Sequence, residues 1–414
     1  MNVTGKLENK VEKTLKLKEW LIKVRRSRYI KDALKLIFLI AGKLPTRKKT
    51  IVFESFLGKQ YSDNPKALYL YLNEHYPEYQ LYWSVDRHSV PRFEHKDLTI
   101  LPRFGLKWIF IMARADYWIT NSRLPLWIPK PKGTTYVQTW HGTPLKRLAA
   151  DMEEVHMPGT NTAKYKTNFL KESKKWDYLI SPNNYSTDIF KRAFQFEGPM
   201  IESGYPRNDI LLNENNDETV KRLKESAHLP LDKKVILYAP TWRDNQFHRI
   251  GKYKFDLEMD LHRMKEVFGD EYVIVLRLHY LVAENIDLKE YGEFVYDFSY
   301  YEDINKLYLM SDILVTDYSS VFFDYANLKR PILFFVYDLD EYRDKLRGFY
   351  FDLEEKAPGP LVKTTEELIS ELKQIEDEQF QVDARFESFY QKFCYLEDGH
   401  ASERVVQILF EDKN

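Results

Sequence analysis

Ser311–Pro331 reads SDILVTDYSSVFFDYANLKRP. Ile313, Leu314 and Val315 form a short apolar run of the kind that makes a buried parallel strand. The polar Thr316-Asp317-Tyr318-Ser319-Ser320 follows, and then the spacing of Val321, Phe322, Tyr325 and Ala326 predicts an amphipathic helix. Lys329 and Arg330 place positive charge in its last turn, and Pro331 cannot continue it. Strand, turn and helix in this order are the unit of a doubly wound α/β sheet, whose ligands bind beyond the carboxyl ends of the strands. A helix N-terminus there favours a phosphate, with Ser319 and Ser320 as added donors. The same serines could equally do no more than cap the helix.

Working outward, short apolar runs alternate with helical patterns after Pro45. Thr50–Glu54, Tyr79–Val85, Leu98–Leu101, Tyr117–Thr120, Thr135–Thr139 and Tyr178–Ser181 read as strands of one parallel sheet. A second series past Gly204 comprises Val235–Tyr238, Tyr272–Leu276, Phe294–Tyr296, Ile313–Val315 and Ile332–Val336. The fold class is therefore α/β with two Rossmann-like domains, residues 45–203 and 204–414, behind an N-terminal segment of residues 1–44. The last helical pattern, Ala401–Phe410, fits a position on either domain.

The 414 residues include 30% charged and 44% hydrophobic residues, as expected of a globular chain. Cys394 is the single cysteine, which excludes an intramolecular disulfide and a cysteine-cluster zinc site. Net charge is −1, yet residues 1–49 carry 15 Lys or Arg against four acids, a local +11. Nucleic acid and anionic lipid are both polyanions that would suit such a segment. Trp20–Ile40 interleaves Trp20, Leu21, Val24, Tyr29, Ile30, Leu34, Ile37 and Phe38 with six basic residues, a pattern that lies in a headgroup layer. The apolar run is far shorter than the ~20 residues of a spanning helix, and no cleavable signal is expected. An anionic membrane surface is the expected partner, over an ordinary N-terminal helix with a solvated basic face, and no nucleic acid is expected.

Unusual polar residues cluster just after the strands. His141-Gly142-Thr143-Pro144-Leu145-Lys146 follows one, Ala239-Pro240-Thr241-Trp242-Arg243-Asp244 another, and Arg277-Leu278-His279-Tyr280 a third; Gly204-Tyr205-Pro206-Arg207-Asn208-Asp209 stands at the junction. All would face one crevice. His141 beside Gly142 suits a general base, or else a histidine bonded to its own turn. His279 fits a role on a phosphoryl group as well as it fits a satisfied core position. Arg207, Arg243 and Arg277 offer forks for phosphate oxygens. No DxD, HExxH or acidic loop accompanies Asp317, so no metal and no cofactor is expected.

Together, TWHGTPLK (Thr139–Lys146), GYPRND (Gly204–Asp209), YAPTWRD (Tyr238–Asp244), LRLHY (Leu276–Tyr280) and TDYSSVFFDYA (Thr316–Ala326) resemble the CDP-glycerol glycerophosphotransferases of wall teichoic acid synthesis in Gram-positive bacteria. The resemblance covers about residues 50–390 and implies a GT-B fold of two facing domains, the C-terminal one binding the donor. It implies His141 as catalytic base, with Gly142, Thr143, Pro144 and Leu145 as a donor-contacting turn. It further implies that Arg277, Leu278 and His279 contact the diphosphate, His279 also taking part in catalysis, and that Arg207, Thr241 and Trp242 line the donor site. Ser319 and Ser320 would hold phosphates and Asp324 a ribose or glycerol hydroxyl. The partners implied are CDP-glycerol or CDP-ribitol and an undecaprenyl-diphosphate-linked acceptor at the cytoplasmic face of the membrane, and a homo-oligomer is left open. A primase or short-chain transferase fits as well as a polymerase, because the long extra N-terminal domain of the largest polymerases is missing. A sugar-nucleotide transferase on the same scaffold and a non-catalytic membrane adaptor are the rival readings.

Overall fold

A computed structural model describes residues 28–155, 160–241, 247–249, 252–253, 257–278, 288–343 and 348–411. The first apolar runs form β1 (Arg47–Glu54), β2 (Gln80–Val85), β3 (Ile100–Pro102), β4 (Ala115–Thr120), β5 (Thr135–Gln138), β6 (Tyr178–Ser181) and β7 (Met200–Glu202). They pair in parallel in the order β3-β2-β1-β4-β5-β6-β7. The second series gives β8 (Lys234–Ala239), a small antiparallel ribbon β9 (Phe247–Arg249) and β10 (Lys252–Tyr253), then β11 (Tyr272–Leu276), β12 (Val295–Asp297), β13 (Ile313–Thr316), β14 (Ile332–Phe335) and β15 (Leu361–Val362). Its sheet is also parallel, ordered β12-β11-β8-β13-β14-β15. Both orders reverse beside the first strand of the domain, between β1 and β4 and between β8 and β13. A crevice opens at each reversal because the flanking connections leave in opposite directions. This is the two-domain α/β architecture expected from the pattern of strands.

Each sheet is buried on both faces, which is why its strands are nearly continuous apolar runs and not alternating ones. The helix Ala401–Glu411, whose side the pattern leaves open, crosses back to the first domain. Its Val405, Val406 and Leu409 share a core with Ile51, Phe53 and Trp83, and the Leu409 carbonyl accepts from Tyr117 Oη at 3.0 Å.

The helix opened by the Ser319-Ser320 turn is shorter than its apolar spacing suggests. It runs Val321–Tyr325, tightens to a 3₁₀ turn over Ala326–Leu328, and ends with Lys329 in the left-handed region at φ 52°. Arg330 does not serve this helix. Its guanidinium donates to the carbonyls of Leu309 (2.9 Å) and Ser311 (2.6 Å), at the end of the neighbouring helix Ile304–Met310.

At the N-terminal end, the described part of the basic segment is the helix Arg28–Ala41. Phe38 is fully buried against Trp108 and Trp118, with ring centres 6.3 and 6.2 Å away. Residues 1–27 of the expected amphipathic stretch lie outside the described residues. Among the described residues, no helix is long and apolar enough to cross a membrane.

Candidate active site

In the first domain the site is built where β1, β4 and β5 end. β5 delivers Gln138, whose Oε1 accepts from the Trp140 N–H at 3.0 Å, and this helps hold Trp140 at φ 54°, the left-handed region. The kink presents His141 to the cleft. Its ring stacks on Trp140 at 4.5 Å and meets Phe56 edge-on at 5.8 Å. His141 Nδ1 lies 2.7 Å from the carbonyl oxygen of Asn121, at the end of β4. A carbonyl can only accept, so Nδ1 carries the proton and Nε2 keeps its lone pair as a base. The imidazole opens to the cleft, yet the protein around it strips enough water to lower its pKa, and Arg207 and Arg123 push the same way against Asp63 and the Asn121 carbonyl. It is therefore neutral at neutral pH.

The second domain supplies the opposite wall. Asp317 is buried at the end of β13 and accepts from the Thr241 N–H at 2.7 Å, tying the loops after β8 and β13 together across the crevice. Ser320 precedes the helix Val321–Tyr325 without making a capping hydrogen bond. A side chain added at Gly142 would lie 2.9 Å from Ser320 Oγ, so the histidine turn of one domain sits directly against the serine turn of the other. A side chain there would have to push the Ser320 hydroxyl aside. Main-chain bonds fix the contact: Tyr350 N–H donates to the Leu145 carbonyl (2.8 Å), Arg147 N–H to that of Gly348 (3.2 Å), and Leu145 itself is buried in the second domain's core. Arg277, after β11, donates through Nη1 to the carbonyls of Phe298 (2.9 Å) and Ser299, and burial lowers its pKa.

Behind these walls the domains are joined by buried charge. Arg207 Nη1 reaches Asp63 Oδ2 at 3.1 Å, and Nη2 reaches Asp324 Oδ1 and Oδ2 at 3.1 and 2.9 Å. Arg207 and Asp324 are each 6% exposed. Asn208 Nδ2 donates to Asp324 (3.0 Å) and to Glu397 Oε1 (3.1 Å), which also accepts from the Tyr205 N–H at 3.0 Å. Burial, with Asp324 and Asp209 nearby, raises the Glu397 pKa from 4.5 to about 8 against its two hydrogen bonds. A carboxyl whose folded pKa lies above its unfolded one holds its proton longer in the native state, so its contribution to stability falls as pH rises between about 4.5 and 8. Glu397→Gln keeps an oxygen for both donors. It is expected to match the wild-type melting temperature near pH 4.5 and to exceed it at pH 8, measured by calorimetry across that range.

The model of the family described as CDP-Glycerol:Poly(glycerophosphate) glycerophosphotransferase matches residues 36–411. The chain belongs to this family. It is 59% identical over 409 residues to the teichoic acid poly(glycerol phosphate) polymerase of Bacillus subtilis, covering 99% of this chain and 54% of that protein. To the teichoic acid glycerol-phosphate transferase of Staphylococcus aureus it is 49% identical, covering 94% of this chain and all of the other. The chain thus spans about half of the first relative and the whole of the second. A solved structure of the wall teichoic acid polymerase TagF superposes with a TM-score of 0.85 at 44% identity, covering 98% of each chain.

Of the residues singled out in this glycerophosphotransferase-family chain, His141, Gly142 and Ser320 meet at the cleft, with Ser319 and Thr241 half-exposed beside it. Thr143, Pro144, Leu145 and Leu278 are buried. Arg207 gives Nη1 to Asp63 and Nη2 to Asp324, and Asp324 also accepts from Asn208. Trp242 and His279 lie outside the described residues. Sequence reasoning missed Asn121 and Asn64. Asn64 is fully buried, donates to the carbonyls of Thr139 (3.4 Å) and Trp140 (3.3 Å), and accepts from the Arg207 N–H at 3.1 Å. Asn121 comes straight after β4 and His141 three residues after β5, so the rule that found the histidine could have found the asparagine too. Asn64 follows Asp63, held at φ 66°, and had no comparable signal.

Proposed function

We propose that the chain transfers glycerol phosphate from CDP-glycerol to a lipid-linked teichoic acid acceptor and releases CMP. The observation that carries this reading is the 2.9 Å approach of Ser320 Oγ to the Gly142 position, which brings a neutral histidine from one reversal point against the donor-side turn of the other. The acceptor hydroxyl attacks the β-phosphorus of the donor. Its proton passes to His141 Nε2, the bond from the β-phosphorus to the bridging oxygen breaks, and CMP leaves with that oxygen. Ser319, Ser320, Thr241 and Arg277 hold the diphosphate, with Trp242 and His279 completing the donor side. Gly142 permits the close approach, while Thr143, Pro144, Leu145 and Leu278 shape the wall. Arg207 and Asp324 set the register of the two domains. Glycerol in place of ribitol follows from the likeness to the two glycerol-phosphate enzymes. The test is a donor panel with a lipid-linked acceptor: CMP from CDP-glycerol supports the reading. Turnover of CDP-ribitol alone would reassign the donor, UDP release from UDP-sugars would make the chain a glycosyltransferase, and vesicle binding without turnover would make it an adaptor.

We further propose that it works at the anionic cytoplasmic surface of the membrane. Leu36 and Ile40 of the helix Arg28–Ala41 are 58% and 59% exposed, and Leu106 on the adjacent helix Leu106–Met112 is 65% exposed, with Lys31, Lys35 and Lys107 around them. Apolar residues ringed by lysines suit a headgroup layer. Leu36→Glu with Ile40→Glu is expected to weaken sedimentation with anionic vesicles by about tenfold or more while leaving the melting temperature unchanged.

A further inference from the structure

Residues 121–128 leave the end of β4 and carry a cation to which no ligand has been assigned above. Two positions beyond Asn121, whose carbonyl orients His141, stands Arg123. Its guanidinium carbon lies 4.4 Å from the ring centre of Phe169 and 5.4 Å from that of Tyr165, neighbours four apart on the helix Thr162–Ser173. Arg123 is half-buried, and among the described residues no carboxylate pairs with it and no hydrogen bond engages it. Stacking occupies the face of a guanidinium and leaves the N–H groups at its edge free to donate. Two rings therefore hold in place a planar fork without a counter-charge. Its field reaches His141, where it adds to the lowering of the imidazole pKa.

On the transferase reading above, the attacking hydroxyl belongs to an acceptor whose nearest charge is its own phosphate. We infer that Arg123 is an anion subsite on the acceptor side of His141, binding the phosphate group that precedes the attacking hydroxyl. This inference rests on that reading. The donor side already has Ser319, Ser320 and Arg277 from the other domain, whereas Arg123 belongs to the domain that carries the base. The same loop also leads in the right direction for a lipid-linked substrate. Trp127 packs on Phe104 at 5.6 Å and Phe104 on Trp108 at 5.3 Å, and Trp108 sits on the helix whose Leu106 faces outward. An acceptor with its lipid at that apolar face and its phosphate at Arg123 would present its hydroxyl to Nε2 of His141.

The experiment is initial-rate CMP release by the full chain, with CDP-glycerol and a lipid-linked acceptor ending in glycerol phosphate, for wild type, Arg123→Gln and Arg123→Lys. The glutamine variant is expected to raise the acceptor KM by about tenfold or more, the worth of one charge-assisted hydrogen bond, while the donor KM stays within about twofold. Lysine restores the charge and should recover part of the loss. The acceptor KM of the glutamine variant should also rise less steeply with salt. An unchanged acceptor KM overturns the inference. So does a donor KM that rises in step, which would place the anion on the donor, and so does a lysine variant no better than glutamine, which would reduce Arg123 to packing. A wild-type chain that releases no CMP overturns the transferase reading and this inference with it, whereas the other outcomes leave the transferase standing.

Discussion

His141→Ala is expected to lower kcat for CMP release by on the order of 10²–10⁴-fold, the usual worth of a general base, while the melting curve stays that of the wild type. The fold should tolerate the change because the imidazole opens to the cleft, and its hydrogen bond to the Asn121 carbonyl can pass to water. The chemistry should not tolerate it. With Nδ1 committed to Asn121, Nε2 is the basic nitrogen of the ring facing the cleft, and alanine replaces it with a methyl group. His141→Asn tests the same point more closely, since its amide can still reach a carbonyl but titrates nothing. The pH profile gives a second reading: protonation of His141 should govern the acid limb of kcat/KM, and burial together with Arg207 and Arg123 should place that limb below the ordinary imidazole pKa of about 6.5. Retained turnover in both variants would remove the base from the mechanism.

Much of this site was legible before any coordinates because parallel sheets impose a rule. Every β-strand ends at the same edge, so polar residues that follow short apolar runs share a crevice however far apart they lie in the chain. Thr50–Glu54, Thr135–Thr139 and Ile313–Val315 could be read in this way, and His141 and Ser320 with them. Elements too short to show a period could not: Met200–Glu202 and Leu361–Val362 join their sheets as three and two residues. The side taken by Ala401–Glu411 was illegible for another reason. An apolar stripe such as Val405, Val406 and Leu409 fits any core, and its place on the first domain shows only in distant partners such as Tyr117, whose Oη donates to the Leu409 carbonyl at 3.0 Å. Arginines are the hardest residues to read. Arg207 resembled a phosphate ligand and found Asp324, 117 positions away, while Arg330 resembled a cap for its own helix and serves its neighbour.

Arg207→Ala is expected to destabilise the protein by about 3–5 kcal/mol, seen as a lower urea midpoint, because it removes one partner from a buried charge cluster and strands the others. Asp63 and Asp324 would face each other without the fork between them. Burial alone would lower the Arg207 pKa, but the two carboxylates more than reverse this and keep the guanidinium charged. Arg207→Lys should recover only part of the loss, since a single ammonium cannot span both carboxylates as Nη1 on Asp63 and Nη2 on Asp324 do. If the cost is stranded charge and not lost packing, then Arg207→Met combined with Asp63→Asn and Asp324→Asn should regain most of the stability, because buried ion groups replaced together are often neutral. Activity should not return with it. Asp63 belongs to the first domain, Asp324 to the helix opened by Ser320 in the second, and the arginine between them fixes the offset that sets Ser320 against Gly142. A triple variant that melts like the wild type yet turns over slowly would separate holding the domains together from holding them in register. One that is both stable and fully active would show that the main-chain bonds of Leu145 and Arg147 to the 348–350 segment set the register without help.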